Sequence, residues 1–347
     1  MNKIITIIIP TYNMERYLDK CLTSLIITDE NLMKMTEVLV VIDGSKDRSS
    51  EIAHNYAKRF PNTFRVIEKE NGNYGSCINR GLSEAKGKYV KILDADDYFD
   101  TQNWMAYLKE IQNVDADLIL TNYDLITPQD YIINNKEFNC SPNQLIDSTN
   151  CVQELVEVEM HAITYRTQLL LDMKYTQTEG ISYTDTEWVL IPMQNIKTVY
   201  YINMVIYKYL IGREGQTMDT NIYLRNRKHI TIIISKLIHE IYNKNLLLSP
   251  MSYFYKSRIL GLYSRHYTTS LIENKFPSYE LIELDEELKR LCKDIYDSLA
   301  QVCFSKIEYI KLWRNNNFRL PYVTKLFIKI IKLKRKYLSN VKLGREK

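Results

Sequence analysis

Along the first third of the chain, apolar positions switch repeatedly between the spacing of a buried strand and that of a one-sided helix. Ile4 to Ile9 is a continuous run rich in β-branched residues, the kind buried on both faces of a parallel sheet, and Pro10-Thr11-Tyr12-Asn13 breaks it. From Met14 to Ile27, Tyr17, Leu18, Cys21, Leu22 and Leu25 fall on one helical face. Val38 to Ile42 predicts a second buried strand, halted by Asp43-Gly44-Ser45, and Ser49 to Phe60 a second helix with Ile52, Ala53, Tyr56 and Phe60 inward. A short strand over Phe64 to Ile67, a glycine-opened helix over Gly72 to Lys86, a strand over Tyr89 to Leu93, a helix over Gln102 to Gln112 and a strand over Asp117 to Asn122 complete the series. Strands separated by helices of this length imply right-handed crossovers and an α/β, doubly wound, mostly parallel sheet.

From Tyr123 to about Gly215 the pattern loosens into short apolar runs such as Thr198 to Ile202 and Val205 to Tyr209. From Asn221 onward it turns helical, through Ile230 to Ile241, Ser252 to Leu271 and Leu281 to Phe304. The expected organisation is a catalytic α/β domain over residues 1–217 and a helical C-terminal extension over 218–347.

Composition narrows the classes. The chain of 347 residues, 45% hydrophobic and 25% charged, has the make-up of a globular protein, and its length allows one large core or a core with an appendage. The net charge of +4 hides an asymmetry: from Phe318 onward Glu346 is the only carboxylate side chain among many lysines and arginines. That excludes a uniformly basic nucleic-acid binder and leaves a local basic tail to explain. Six cysteines without a C-x-x-C pair read as reduced thiols, and no stretch has the signature of a secretory signal or a membrane span. A cytoplasmic protein, or one on the cytoplasmic face of a membrane, is expected.

The tetrapeptide Asp94-Ala95-Asp96-Asp97 ends the fourth predicted strand. In an extended backbone, side chains two residues apart share a face, so Asp94 and Asp96 are expected to project together where open α/β sheets bind ligands. Two such carboxylates suit a hard divalent cation with positions left for phosphate oxygens; a solvated acidic turn is the competing reading. The G-x-G-x-x-G fingerprint is absent after the first strand, which argues against a dehydrogenase. Asp43-Gly44-Ser45 by itself reads equally as a turn with a helix cap.

Taken in order, Ile7 to Asn13, Val40 to Asp47, Asn71-Gly72 through Asn79, Gly81, Ala85, Gly87 and Tyr89, and Leu93 to Asp97 resemble the successive motifs of the bacterial family 2 glycosyltransferases. The resemblance implies the GT-A fold and transfer of a sugar from a nucleotide diphosphate with inversion. It also implies that Pro10, Thr11 and Tyr12 shape a nucleoside pocket, with Tyr12 offering a ring face, and that Asp43 accepts hydrogen bonds from uracil or a similar base. Gly72, with Gly75, would let the backbone approach the donor, and Asn79 would belong to the same nucleotide-sugar set. Asp96 and Asp94 would hold Mn2+ or Mg2+ on the diphosphate, with Ala95 between them and Asp97 supporting the shell. Asp185, in Gly180 to Trp188, matches the family's catalytic base, with Glu187 as fallback; it is equally a helix cap by local pattern. Arg213 would pair with the diphosphate and His161 would lie on the acceptor side. This chain departs from the family pattern at Ile42, Ile78 and Thr184, where the family often carries a carboxylate, an arginine and a glutamate.

The expected partners are a nucleotide-diphosphate sugar, a UDP-sugar first among them, and a saccharide or lipid-linked acceptor, with no nucleic acid. Tyr322 to Leu338 interleaves Val323, Leu326, Phe327, Ile330 and Ile331 with Lys325, Lys329, Lys332, Lys334, Arg335 and Lys336, the pattern of a helix lying on an anionic inner leaflet. A helix packed on the domain with a basic rim is the alternative. Two other functions remain open on sequence: a degenerate transferase serving as a binding subunit, favoured by Ile42 and Thr184, and a sugar nucleotidyltransferase, disfavoured because Pro10-Thr11-Tyr12-Asn13 is not the Gly-rich, Arg-Lys loop that chemistry uses.

Overall fold

The computed structural model describes residues 2–324 except 214, 217–219 and 273–277, together with 326, 327 and 330. Most of the basic tail read from the sequence lies outside the described residues. The chain divides into two compact units, 1–229 and 230–347, so the boundary falls a little beyond the 217/218 division expected.

Unit 1 is built on one ten-stranded mixed sheet. Its strands are β1 (Lys3–Thr11), β2 (Thr36–Asp43), β3 (Phe64–Lys69), β4 (Gly87–Ile92), β5 (Tyr98–Phe99), β6 (Leu118–Ile126), β7 (Ile132–Lys136), β8 (Leu145–Asp147), β9 (Ile163–Arg166) and β10 (Thr198–Leu210). The order is β3-β2-β1-β4-β9-β6-β10-β5, with β7 paired to β6 and β8 to β10. β1 lies parallel to β2 on one side and to β4 on the other. Ile5, Ile7, Ile8 and Ile9 of β1 and Val38 to Val41 of β2 are fully buried, which is why these runs carry no polar alternation. β9 is antiparallel to both β4 and β6, so β6 regains the direction of β4, and β10 runs parallel to β6. The carboxyl ends of β1, β2, β4, β6 and β10 therefore share one edge of the sheet.

Helices α1 (Leu18–Ser24), α2 (Glu30–Met35), α3 (Ser49–Arg59), α4 (Asn73–Glu84) and α5 (Thr101–Ile111) connect the early strands. The expected helix over Met14 to Ile27 is reduced to the seven residues of α1, and α2, started by the Asp29 carboxylate capping the amides of Asn31 and Leu32, was not expected. Pro10, expected to break the first strand, lies inside it. β4 pairs with β1 only as far as Ile8 opposite Ile92, so Pro10 has a strand on one side alone and its missing amide costs no ladder bond on the other. The two apolar runs at Thr198 to Ile202 and Val205 to Tyr209 are one strand, β10, whose register shifts between Ile202 and Val205.

Unit 2 is helical, with the greater part of Arg227–Asn243 followed by Ser252–Tyr267, Ser278–Leu291, Lys293–Leu299 and Tyr309–Asn315. The expected single helix over Leu281 to Phe304 is broken at Cys292, which has left the helical region. Its core packs Tyr263, Tyr267, Tyr309 and Trp313 around a buried ion pair. Arg314 donates to Asp285 from Nη2 at 2.6 Å and Nε at 3.0 Å, to the Tyr296 carbonyl from Nη1 at 2.7 Å, and lies 3.5 Å over the Tyr296 ring; Tyr267 also donates to Asp285. Removing one member of such a pair strands a buried charge, so Arg314→Met is expected to cost about 3–5 kcal/mol, read as a lower urea midpoint for the loss of helical circular dichroism. An unchanged midpoint would show that the pair contributes nothing.

Candidate active site

The shared edge gathers the predicted motifs but arranges the acidic one differently. After β4 the chain keeps one more sheet bond, from the Leu93 amide to the Ile8 carbonyl at 3.0 Å, and then turns, closed by the Asp97 amide on the Asp94 carbonyl at 3.0 Å. Asp94 and Asp96 thus stand on a four-residue turn rather than on an extended strand end, and remain near enough for the Asp96 charge to act on Asp94. The Asp94 carboxylate accepts from Tyr74 Oη at 2.8 Å, and its amide donates to Tyr207 Oη at 3.2 Å. Tyr207 in turn donates to Asp97 Oδ2 at 2.6 Å, and the Leu210 amide to Asp97 Oδ1 at 2.8 Å. Asp97, buried, ties β10 to the turn. Asp96 is ion-paired with Arg213, whose guanidinium lies 5.4 Å over the Tyr17 ring. Arg213, expected on a diphosphate, is therefore placed on the carboxylate expected to take the cation.

A cleft of about 290 Å³ opens at this edge. Pro10, Thr11, Tyr12, Asp43, Asp94 and Asp185 line it, as the sequence motifs suggested, with Met14, Asn71, Asn73, Tyr74, Cys77, Met160, His161, Ser182, Tyr183, Thr184 and Tyr209. Tyr12, 47% exposed, presents an open ring. Asp43 is buried at the end of β2, and its Oδ1 accepts from Lys69 Nζ at 2.6 Å and from the Gly72 amide at 2.9 Å.

Several expected contacts are spent elsewhere. Gly72 and Gly75 are absent from the lining. A Cβ on Gly75 would stand 2.2 Å from the Thr178 carbonyl oxygen, so this glycine lets α4 pack on the segment leading to Asp185 rather than meet a ligand. Asn79 grips that same segment: Nδ2 donates to the Gln177 carbonyl at 2.9 Å and to Glu179 at 2.8 Å, and Oδ1 accepts from the Gln177 amide at 2.8 Å. Ala95 is buried in the turn, and neither it, Asp96 nor Arg213 lines the cleft.

Opposite the acidic turn, Asp185 begins the helix Asp185–Leu190. Tyr183 just before it has φ of 70°, a left-handed conformation that costs a bulky residue about 1–3 kcal/mol and is held by its ring contact with Tyr223 and the bond from the Ser182 amide to His229. Thr184 donates to Gln177 at 3.2 Å and makes no cap bond. Glu187, the fallback base, is fully buried with both oxygens accepting from Thr178, so it buttresses the loop.

His161 comes closer to the acidic turn than its sequence context suggested. Its ring stacks on Tyr209 at 4.1 Å, edge-on to Tyr207, and Lys91, fully buried, donates to the His161 and Ile163 carbonyls at 2.7 and 3.1 Å. Burial, then the Lys91 charge, push the imidazole down to about 3, so it is neutral at physiological pH, and its Nδ1 has no partner among the described residues. Burial and the neighbouring Asp96 raise the Asp94 carboxyl to about 7, and burial with Asp96 and Asp94 raises Asp97 as well. One ligand atom from each of Asp94, Asp97 and His161 lies within 4.8 Å of the others. Two carboxylates that repel each other beside a neutral, unsatisfied imidazole fit a divalent cation.

A mostly parallel sheet whose strand ends assemble acidic and aromatic groups around one cleft places that cleft where open α/β sheets bind ligands. Residues 6–169 match the model of Glycosyl transferase family 2, the family whose motifs this stretch resembles. It is 45% identical over 96 residues to the uncharacterized glycosyltransferase MG025 homolog of Mycoplasma pneumoniae, a match covering 27% of this chain and 31% of that protein. It is 38% identical over 95 residues to the minor teichoic acid biosynthesis protein GgaB of Bacillus subtilis, covering 26% and 10%. These stretches span a third or less of those curated relatives. The S. aureus TarS 1-349 structure shares the fold, with a TM-score of 0.69 at 19% identity over 91% of this chain and 88% of that one; TarS has also been crystallised with UDP-GlcNAc. The expected GT-A fold is thus shown.

Raising the Asp94 carboxyl has a consequence for stability. Its ordinary value is 3.8 and its folded value about 7, so ionisation costs the native state nothing below about pH 4, progressively more up to pH 7, and a constant amount above. In EDTA, Asp94→Asn is expected to gain stability relative to the parent protein between pH 4 and 7 and then level off, measured by urea midpoints. A pH-independent difference would contradict the buried-charge account.

Proposed function

We propose that the chain is an inverting glycosyltransferase that moves a sugar from a nucleotide diphosphate to a saccharide or lipid-linked saccharide in cell-surface polysaccharide synthesis. The observation that carries this reading is that Asp43 at the end of β2, Asp94 after β4 and Asp185 at a helix start line one cleft. Asp43 and the open face of Tyr12 hold the base, and Asp94 stands where the diphosphate would enter. Asp94, with Asp97 and His161, would hold Mn2+ or Mg2+, and Asp96 would join them when Arg213 is exchanged for the cation. When bound, such an ion supplies Lewis-acid neutralisation of charge growing on the leaving diphosphate, worth several kcal/mol. Asp185 accepts the proton from the acceptor hydroxyl as that oxygen attacks the anomeric carbon from the side opposite the leaving group, which inverts the configuration. The local similarity to GgaB, a minor teichoic acid biosynthesis protein, supports a teichoic-acid-like surface polymer as the product class.

Asp185→Asn is expected to lower sugar transfer about 10²–10⁴-fold while leaving metal-dependent UDP binding within about twofold. Asp94→Asn is expected to abolish the thermal protection that UDP with Mn2+ gives. Transfer unchanged by Asp185→Asn would overturn the assignment of the base.

Among the described residues no helix is long and apolar enough to cross a membrane. Tyr322, Val323, Leu326, Phe327 and Ile330 are exposed, which supports attachment of the basic tail to an anionic membrane surface. Full-length protein is expected to sediment with phosphatidylglycerol vesicles and a chain ended after residue 317 to remain in solution; equal, negligible binding would dismiss the anchor.

A further inference from the structure

Lys69 is the last residue of β3 and does not line the cleft, yet it governs what the cleft sees of Asp43. Its ammonium donates at 2.6 Å to Asp43 Oδ1, at 2.6 Å to the Glu70 carbonyl and at 2.8 Å to Ser76 Oγ. Those three acceptors use all three of its protons. Ser76 passes its own proton to the Asn73 carbonyl at 2.7 Å, and a Cβ on Gly72 would lie 2.7 Å from Ser76 Oγ and 3.2 Å from Lys69 Nζ. Gly72 is therefore the residue that makes room for this ammonium, and its amide is the second donor to Asp43 Oδ1. The Asn71 side chain holds the Asp43 carbonyl at 2.9 Å. The Asp43 carboxylate is consequently fixed: Oδ1 takes two N–H donors from the protein, and among the described residues the Cys77 thiol, a weak donor, is the other protein group hydrogen-bonded to the carboxylate, so no N–H or O–H of the protein claims Oδ2.

We propose that Lys69 is a positioning residue that sets base specificity, an inference that rests on the glycosyltransferase reading of this cleft. By claiming Oδ1 it leaves one carboxylate oxygen for the base. One acceptor matches a base edge with a single N–H between two carbonyl oxygens, the edge of uracil or thymine. Guanine presents two adjacent donors, N1–H and the N2 amino group, which take both oxygens of a carboxylate. Here the second donor would be buried without a partner, the situation by which polar sites reject near-analogues. A free aspartate at the same position could turn both oxygens to the cleft and would not discriminate in this way.

The experiment titrates the full chain, with Mn2+ present, against UDP, N3-methyl-UDP and GDP by calorimetry, for the parent protein and for Lys69→Met and Lys69→Gln. The parent is expected to bind UDP at least tenfold tighter than either other nucleotide. Lys69→Met should narrow the UDP-to-GDP ratio about tenfold. Lys69→Gln, whose amide can still donate to Asp43 and Ser76, should keep most of the ratio, which a role in folding or in bulk charge would not do. Circular dichroism identifies a variant that has not folded, and the parent's response to N3-methylation tests the single-acceptor geometry without any substitution. Equal binding of UDP and N3-methyl-UDP by the parent, or equal weakening of UDP and GDP in Lys69→Met, would overturn the role of Lys69 and leave the transferase reading standing. Failure of the parent to bind any of the three would remove both.

Discussion

The pairing of β1 with parallel neighbours on both sides is the constraint on which the rest of unit 1 depends. Thr11 lies opposite Ile42 and Ile8 opposite Ile92, so three strands deliver their following loops to one edge within about three residues of each other. That register is held by side chains with no polar alternative, since Ile5, Ile7, Val38, Val40 and Val90 are all fully buried. A slip of one residue would turn both faces of the strand, and every motif beyond it would leave the cleft.

Electrostatics then works against the fold at the point where chemistry is expected. Asp94, Asp96 and Asp97 share one turn with Asp185 near enough to raise the Asp94 carboxyl further, and Arg213 is the cation that lowers it. Hydrogen bonds from Tyr74 and Tyr207 spread this charge without cancelling it, because a phenol supplies a proton and no net charge. Beneath the same site a fully buried lysine is used to hold a peptide turn, its ammonium lowered to about 7 by burial. Such uncompensated charge is a stability cost that a bound cation would relieve, which is how a binding site differs from a solvated acidic loop.

The two sides of the cleft also have different origins. One side comes from parallel strand ends and short loops, each near its neighbours in sequence. The other side comes from the turn at Met160 to Ala162, the strained loop before Asp185 and the end of β10, which the antiparallel insertion of β9 brings alongside. Gly75 and Asn79 belong to the first group by sequence and serve the second, packing and pinning residues 177–179.

Strand and helix periods were enough to place β1 to β4, α3, α4 and the parallel order, because burial on both faces writes itself directly into composition. The same periods failed at Pro10, where a strand survives because a neighbour has ended, and at β10, where a bulge splits one strand into two runs. Ordered motifs brought Asp43, Asp94 and Asp185 into view, since each sits at a strand or helix end that local chemistry marks. Which carboxylates stand together was decided in three dimensions: a hydrogen-bonded turn pairs Asp94 with Asp97 and His161 while Arg213 takes Asp96, and Lys69 claims one oxygen of Asp43. The amino-acid sequence by itself determined the sheet, its edge and the acids on it, since these follow from short-range periodicity and chain order. Only the tertiary structure decided their partners, because a hydrogen bond or ion pair between residues far apart in the chain leaves no periodic trace in either of them.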